Sequence, residues 1–237
     1  MGTLRLVRHG QASYGAANYD VLSPLGVRQA EAVGAAWAGR RAPVSAIYVG
    51  PMQRQLDTAR HLRAAAAAAG HPLPEPVVLP GLAEYPAFEL LARCLPQVVA
   101  AEPSLRGLIH GGRVDRALAD RALWAMVDAW TAGTLDTGDL ETYARFVARV
   151  DAATDEILDR HADRGQVAVA VTSGGPIGVV ARRALGLDPR ATVALWRMVR
   201  NASVSDLLWR ARGADRELSL LGWNHVDHLA DDLVTFR

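Results

Sequence analysis

The chain contains no lysine. All 26 of its fixed basic side chains are arginine, so an anion site here must be built from arginine, histidine or backbone N–H groups. Cysteine is reduced to Cys94. That excludes an internal disulfide and a Cys-rich metal cluster, and fits a small core residue in a reducing compartment. Charge of either sign is not in excess: the net value is +1, which gives no reason to expect a nucleic-acid partner or an anionic membrane surface. No apolar run reaches the ~18 residues that a membrane span needs. The opening MGTLRLVRHG has neither the apolar length nor the cleavage site of a signal peptide. Gly2 is not followed by Ser or Thr at position 6, which is Leu6, so the myristoylation pattern fails. A cytoplasmic protein is expected.

What the chain does have is a soluble globular composition, half apolar, over 237 residues. That length suits one α/β domain carrying an insertion. TLRLVRH (3–9) reads as a short apolar strand. Ser23-Pro24 opens a helix, with Ser23 as N-cap and Pro24 at the first helical position. SAIYVG (45–50) reads as a second strand, and residues 51–70 as a helix closed by Gly70. Residues 71–82 are proline-rich and read as an extended connection. Residues 86–137 carry several short helical patterns and no strand, and read as a helical insertion covering one end of the sheet. A long amphipathic helix is expected over 140–163, and QVAVAVTS (166–173) is apolar at nearly every position, as in a parallel strand buried on both faces. Two runs around Gly213 predict an antiparallel edge hairpin. The expected fold is α/β: a doubly wound, mostly parallel central sheet flanked by helices.

Two places invite chemistry. Ser173-Gly174-Gly175-Pro176 joins an apolar strand to a helix, a geometry that aims free backbone N–H groups at an anion. Arg8-His9-Gly10-Gln11 ends the first strand, and ligands of open α/β sheets bind beyond the strands' carboxyl ends.

The stretch LVRHGQ resembles the signature of the histidine phosphatase superfamily, the phosphoglycerate mutase-like proteins. Further stretches resemble that family in order: LSPLGVRQA (22–30), YVGPMQRQLDTA (48–59), LAEYPAFE (82–89), VAVTSGGPI (169–177), RNASVSDL (200–207) and WNHVDHL (223–229). The resemblance implies that His9 attacks phosphorus and forms a phosphohistidine, which a neutral imidazole with a pKa of about 6.5 can do at cellular pH. It implies that Arg8 and Arg54 clamp the phosphate, since a guanidinium matches two oxygens at once. Glu84 falls at the family's proton donor, a role that requires a raised pKa, with Glu89 the second choice. Ser173, Gly174, Gln11 and Ser13 complete the expected phosphate-binding set.

Ser173 departs from the family, which normally has a second histidine there donating to the phosphoryl group. Losing one such donor typically costs about 3–4 kcal/mol, or roughly a hundredfold to a thousandfold in rate. Gly50 replaces the usual serine before Pro51, and Ala12 and Gly15 stand where polar residues are frequent, with Ser13 and Asn18 displaced. The implied function is a cofactor-independent phosphomonoesterase acting on a small phosphorylated substrate. The alternatives are a non-catalytic phospholigand-binding protein, motivated by Ser173, and a phosphomutase. His110 in LIHGG is a distant candidate to replace the missing histidine. His225 and His228 form an H-x-x-H that lacks a third ligand, so no metal is expected. His61, His71 and His161 read as surface residues, with His228 in a structural role. A Ser173 nucleophile is disfavoured because TSGGP lacks the first glycine of G-x-S-x-G. An exposed edge strand or helix is a candidate homodimer surface.

Overall fold

A computed structural model describes residues 1–13, 19–37, 44–109, 116–161, 163–212 and 215–236. Six strands form one mixed sheet in the order β3-β2-β4-β1-β5-β6. The parallel part comprises β1 (Gly2–Arg8), β2 (Ala46–Val49), β3 (Pro76–Val78) and β4 (Val167–Thr172). The antiparallel edge is β5 (Val204–Arg212) against β1, then β6 (Asp215–His225).

The apolar run of β4 is buried at every position. Because strand side chains alternate faces, Val169 and Val171 enter one core with Val7, Val33, Ile47 and Leu62, while Ala168 and Ala170 enter another with Leu4, Leu6, Phe146 and Ile177. Helices α1 (Pro24–Trp37) and α2 (Gln53–Ala68) cover the first face. The second core takes in α3 (Ala87–Ala101), α4 (Arg116–Thr131), α5 (Tyr143–Arg160), α6 (Gly174–Leu185) and α7 (Pro189–Trp196), with α6 packed on β1 and β6. This is the doubly wound arrangement expected of an apolar strand flanked by helical segments.

Local signals set the helix ends. The Ser23 hydroxyl accepts from the Gly26 N–H at 3.0 Å, satisfying a donor of the first turn of α1. Thr142 does the same for α5 and Asp188 for α7. Gly70 and Gly186 follow α2 and α6 at φ 83° and 66°, conformations that favour glycine. One expectation needs correction. The proline-rich connection contains the strand β3, paired with β2 at the sheet edge. Pro76 lacks an N–H, which an edge strand tolerates at its first residue. The expected hairpin is present as β5 and β6, while its turn at Gly213 lies outside the described residues.

Candidate active site

The register pairs Arg8 with Thr172, so the ends of β1 and β4 lie side by side, and the His9 N–H donates to the Thr172 carbonyl at 2.8 Å. On the other side of β4, β2 leads through Gly50-Pro51 into α2, which carries Arg54 in its first turn. Three strand ends thus deliver Arg8-His9, Arg54 and Ser173-Gly174 to one rim of the sheet. Thr58 ties this rim together: its hydroxyl accepts from the Gly10 N–H at 3.0 Å and donates to the Arg54 carbonyl at 2.7 Å.

His9 is only 4% exposed. Its Nδ1 lies 2.7 Å from the Gly10 carbonyl, an acceptor, so Nδ1 carries the proton and Nε2 bears the lone pair. Arg54 donates from Nε to that Nε2 at 3.1 Å and from Nη1 to Asp20 at 2.6 Å. Burial, then the Arg54 and Arg8 charges, hold the His9 pKa well below its ordinary value against the opposing Gly10 carbonyl. The imidazole is therefore neutral at physiological pH. Arg8 donates from Nη1 to the carbonyls of Phe236, at 2.9 Å, and of Val199.

Glu84 projects from the loop before α3. Its Oε2 accepts from the Gly175 N–H at 3.0 Å and its Oε1 from the Tyr85 N–H at 3.1 Å. Burial raises its pKa, opposed by the Gly175 bond, Arg54, the Tyr85 bond and Arg8. Gly175 must be glycine for this contact: a Cβ there would sit 2.1 Å from Oε1. The carboxyl thus takes one of the N-terminal amides of α6 that the sequence reading left free for an anion.

Arg8, His9, Arg54, Glu84, Glu89 and Gly174 all line one cavity of about 840 Å³. Gln11, Ser13 and Ser173 do not. The Gln11 side chain accepts from the Ser23 hydroxyl at 2.9 Å, and Ser13 pairs through its backbone N–H with Val21. Ser173 is fully buried and its Oγ accepts from Gln55 Nε2 at 2.8 Å.

The family model of the histidine phosphatase superfamily (branch 1) matches residues 4–93 and 89–224. The chain belongs to that superfamily. No curated protein matches it in sequence. As a histidine phosphatase superfamily member it is similar in fold to a phosphoserine phosphatase from Entamoeba histolytica crystallised with phosphoserine, at 17% identity and TM-score 0.64, covering 97% of this chain and 100% of that one. It is similar to a mycobacterial glucosyl-3-phosphoglycerate phosphatase complexed with VO3, at 21% identity and TM-score 0.66, covering 95% and 100%. A phosphoglycerate mutase from Bacillus anthracis aligns at 15% identity and TM-score 0.64, covering 96% and 94%.

Positions 50 and 173 meet at Gln55. This fully buried amide donates to Ser173 and to the Leu82 carbonyl at 3.2 Å, and accepts from the Met52 N–H at 3.1 Å. A Cβ on Gly50 would lie 2.1 Å from its Oε1. Gln55 thus requires a residue without a Cβ at 50 and is matched by a small hydroxyl at 173. Its bond to the Met52 N–H is a local capping signal at the start of α2, but nothing local marks its contact with Ser173, 118 residues away. Asp20, which anchors Arg54, escaped sequence reasoning for the same reason; its only cue is the arginine it faces.

The other histidines fall into place. His161 is half-buried rather than on the surface, with the Tyr48 hydroxyl 2.9 Å from its Nε2 and Gln166 2.6 Å from its Nδ1. His61 is also half-buried, and His71 is exposed. His228 donates from Nε2 to the Ala202 carbonyl at 2.9 Å. His110 lies outside the described residues. Among the described residues, no cluster of three metal-ligating side chains occurs and no helix is long and apolar enough to cross a membrane.

Proposed function

We propose that this protein is a phosphomonoester hydrolase that works through a phosphohistidine on His9. The observation that carries the reading is the His9–Arg54 contact. A buried neutral imidazole, its Nδ1–H tied to the Gly10 carbonyl, presents Nε2 to a guanidinium on a cavity wall. A phosphoryl group entering the cavity gives Arg54 a stronger partner, a charged oxygen, and releases the lone pair for in-line attack.

In the first step the Nε2–P bond forms and the ester P–O bond breaks. The bonding pair goes to the alcohol oxygen, which takes the proton of Glu84. In the second, water attacks phosphorus, gives its proton to the Glu84 carboxylate, and displaces Nε2 to release inorganic phosphate. A raised Glu84 pKa supports the acid half of that cycle. Glu89 is exposed in the first turn of α3, which favours Glu84 of the two carboxylates. The neighbouring arginines lower the charge on the transferring group. The substrate is a small phosphorylated molecule, and the same first step also serves a mutase if the phosphohistidine passes its group back to an alcohol.

A labelled phosphomonoester tests this directly. The parent should carry acid-labile, alkali-stable label after a quench, and His9→Ala none. Equal turnover by His9→Ala in a clean preparation overturns the mechanism. One observation favours a second reading, a phospholigand-binding protein without turnover: the hydroxyl of Ser173 is buried away from the cavity, so the usual second donor is missing. Calorimetric binding of phosphate esters with no release of phosphate selects that reading.

A further inference from the structure

Among the described residues, the half of the cavity beyond His9 is poor in positive charge and rich in aromatic surface. Among its described lining residues the arginines are Arg8, Arg54 and Arg197. The first two face His9, and both depress its pKa. Arg197 lies 4.2 Å over the ring of Trp124 and donates to Asp128 at 2.7 Å. Among the described lining residues, each arginine is thus engaged at His9 or at Trp124 and Asp128. The carboxylates among the described lining residues of this half are Glu89 and Asp120, so a substrate carboxylate or second phosphate would approach groups of its own sign.

The apolar surface is specific in form. Helices α3 and α4 supply Phe88, Leu91, Leu123 and Trp124 to the walls. Tyr19 meets Phe88 edge to face, with ring centroids 5.4 Å apart. Phe88 is 54% exposed, so much of its ring surface is open on the cavity wall. Trp124 is half-buried. Rings of this kind bind flat apolar groups through area burial and offset or edge contacts. The volume of about 840 Å³ is in the range that encloses a ligand well beyond the size of a phosphate.

We infer that the alcohol half of the substrate is a flat, uncharged, apolar ring system, bound against Phe88, Tyr19 and Trp124, and that esters bearing a second anionic group are discriminated against. The inference rests on the phosphatase reading for its catalytic assay but not for its binding assay. Three alkyl esters with comparable leaving groups test it: naphthylmethyl phosphate, glycerol 3-phosphate and 3-phosphoglycerate. The expected order of kcat/KM is the order named, with naphthylmethyl phosphate ahead of 3-phosphoglycerate by at least about tenfold from ring burial alone. Phe88→Ala and Trp124→Ala should each shrink that ratio by about threefold or more. Phe88→Ala removes an exposed ring and keeps the test open if Trp124→Ala folds poorly. If no ester is turned over, the phosphatase reading has failed. The same order is then sought in the dissociation constants of the corresponding non-hydrolysable phosphonates by calorimetry. Preference for the glycerate compound, or equal use of all three, overturns the inference in either assay.

Discussion

Replacing Ser173 by histidine tests the role of Gln55. From the resemblance alone, Ser173→His restores a donor to the phosphoryl group and raises the rate roughly a hundredfold to a thousandfold. The structure argues otherwise. Position 173 is fully buried, and its hydroxyl is matched to an amide that also serves Leu82 and Met52. An imidazole overfills that space, at about 1–3 kcal/mol for overpacking. Displacing Gln55 leaves its buried amide without partners, at about 1–3 kcal/mol more, while the Leu82 carbonyl keeps the Thr172 hydroxyl at 2.6 Å. For a chain of this size the two together lower Tm by roughly 5–20 °C. We therefore expect Ser173→His to melt earlier and to gain little activity. Ser173→His/Gln55→Ala makes room, so its stability should exceed the sum of the single effects by a coupling of about 0.5–3 kcal/mol, and the rate gain should appear there. Thermal unfolding of the four proteins, with steady-state rates on one ester, decides it. A single variant as stable as the parent and a hundredfold faster refutes the role given to Gln55.

The remaining predictions follow from the same geometry. His9 is held well below 6.5, so it stays neutral as pH falls through that value, while Glu84 is raised above 4.5 and loses its proton only as pH climbs past its elevated value. The kcat/KM profile should peak on the acid side and fall with rising pH, and Glu84→Gln should remove the falling limb; a rate that climbs steadily from about pH 5 to pH 9 contradicts this. Gly175→Ala puts a methyl 2.1 Å from Glu84 Oε1 and 3.1 Å from Phe146 Cζ, so the carboxyl must move. The cost should be roughly a hundredfold in kcat for an alkyl ester and far less for p-nitrophenyl phosphate, whose leaving group needs no proton; equal losses on both esters count against Glu84 as the acid. Arg54→Lys keeps the charge but not the fork that reaches His9 and Asp20 together, so kcat/KM should fall about tenfold or more, and a variant with parental kcat/KM refutes the two-point contact.

Much of the fold was legible because its signals are local. The unbroken apolar run of β4, Ser23-Pro24 before α1 and glycines after α2 and α6 each act over a few residues and survive in the folded chain. The strand β3 was not legible, since its pairing with β2 decides whether a proline-rich segment counts as a strand. His161 was missed as a partly buried residue because a helix C-terminus reads as surface until Tyr48 and Gln166 are known to face it.

By itself, the sequence determined the α/β class, the order of the blocks that carry the superfamily resemblance, and the placement of His9 at a strand's end, because periodicity and motif spacing act along the chain. Tertiary structure alone decided that Glu84 rests on the Gly175 amide, that Gln55 binds Ser173, and that α3 and α4 bring Phe88 and Trp124 to the cavity wall. Those contacts join segments far apart in sequence. Their energies come from burial and short-range hydrogen bonding, which exist only once the helices have docked on the sheet.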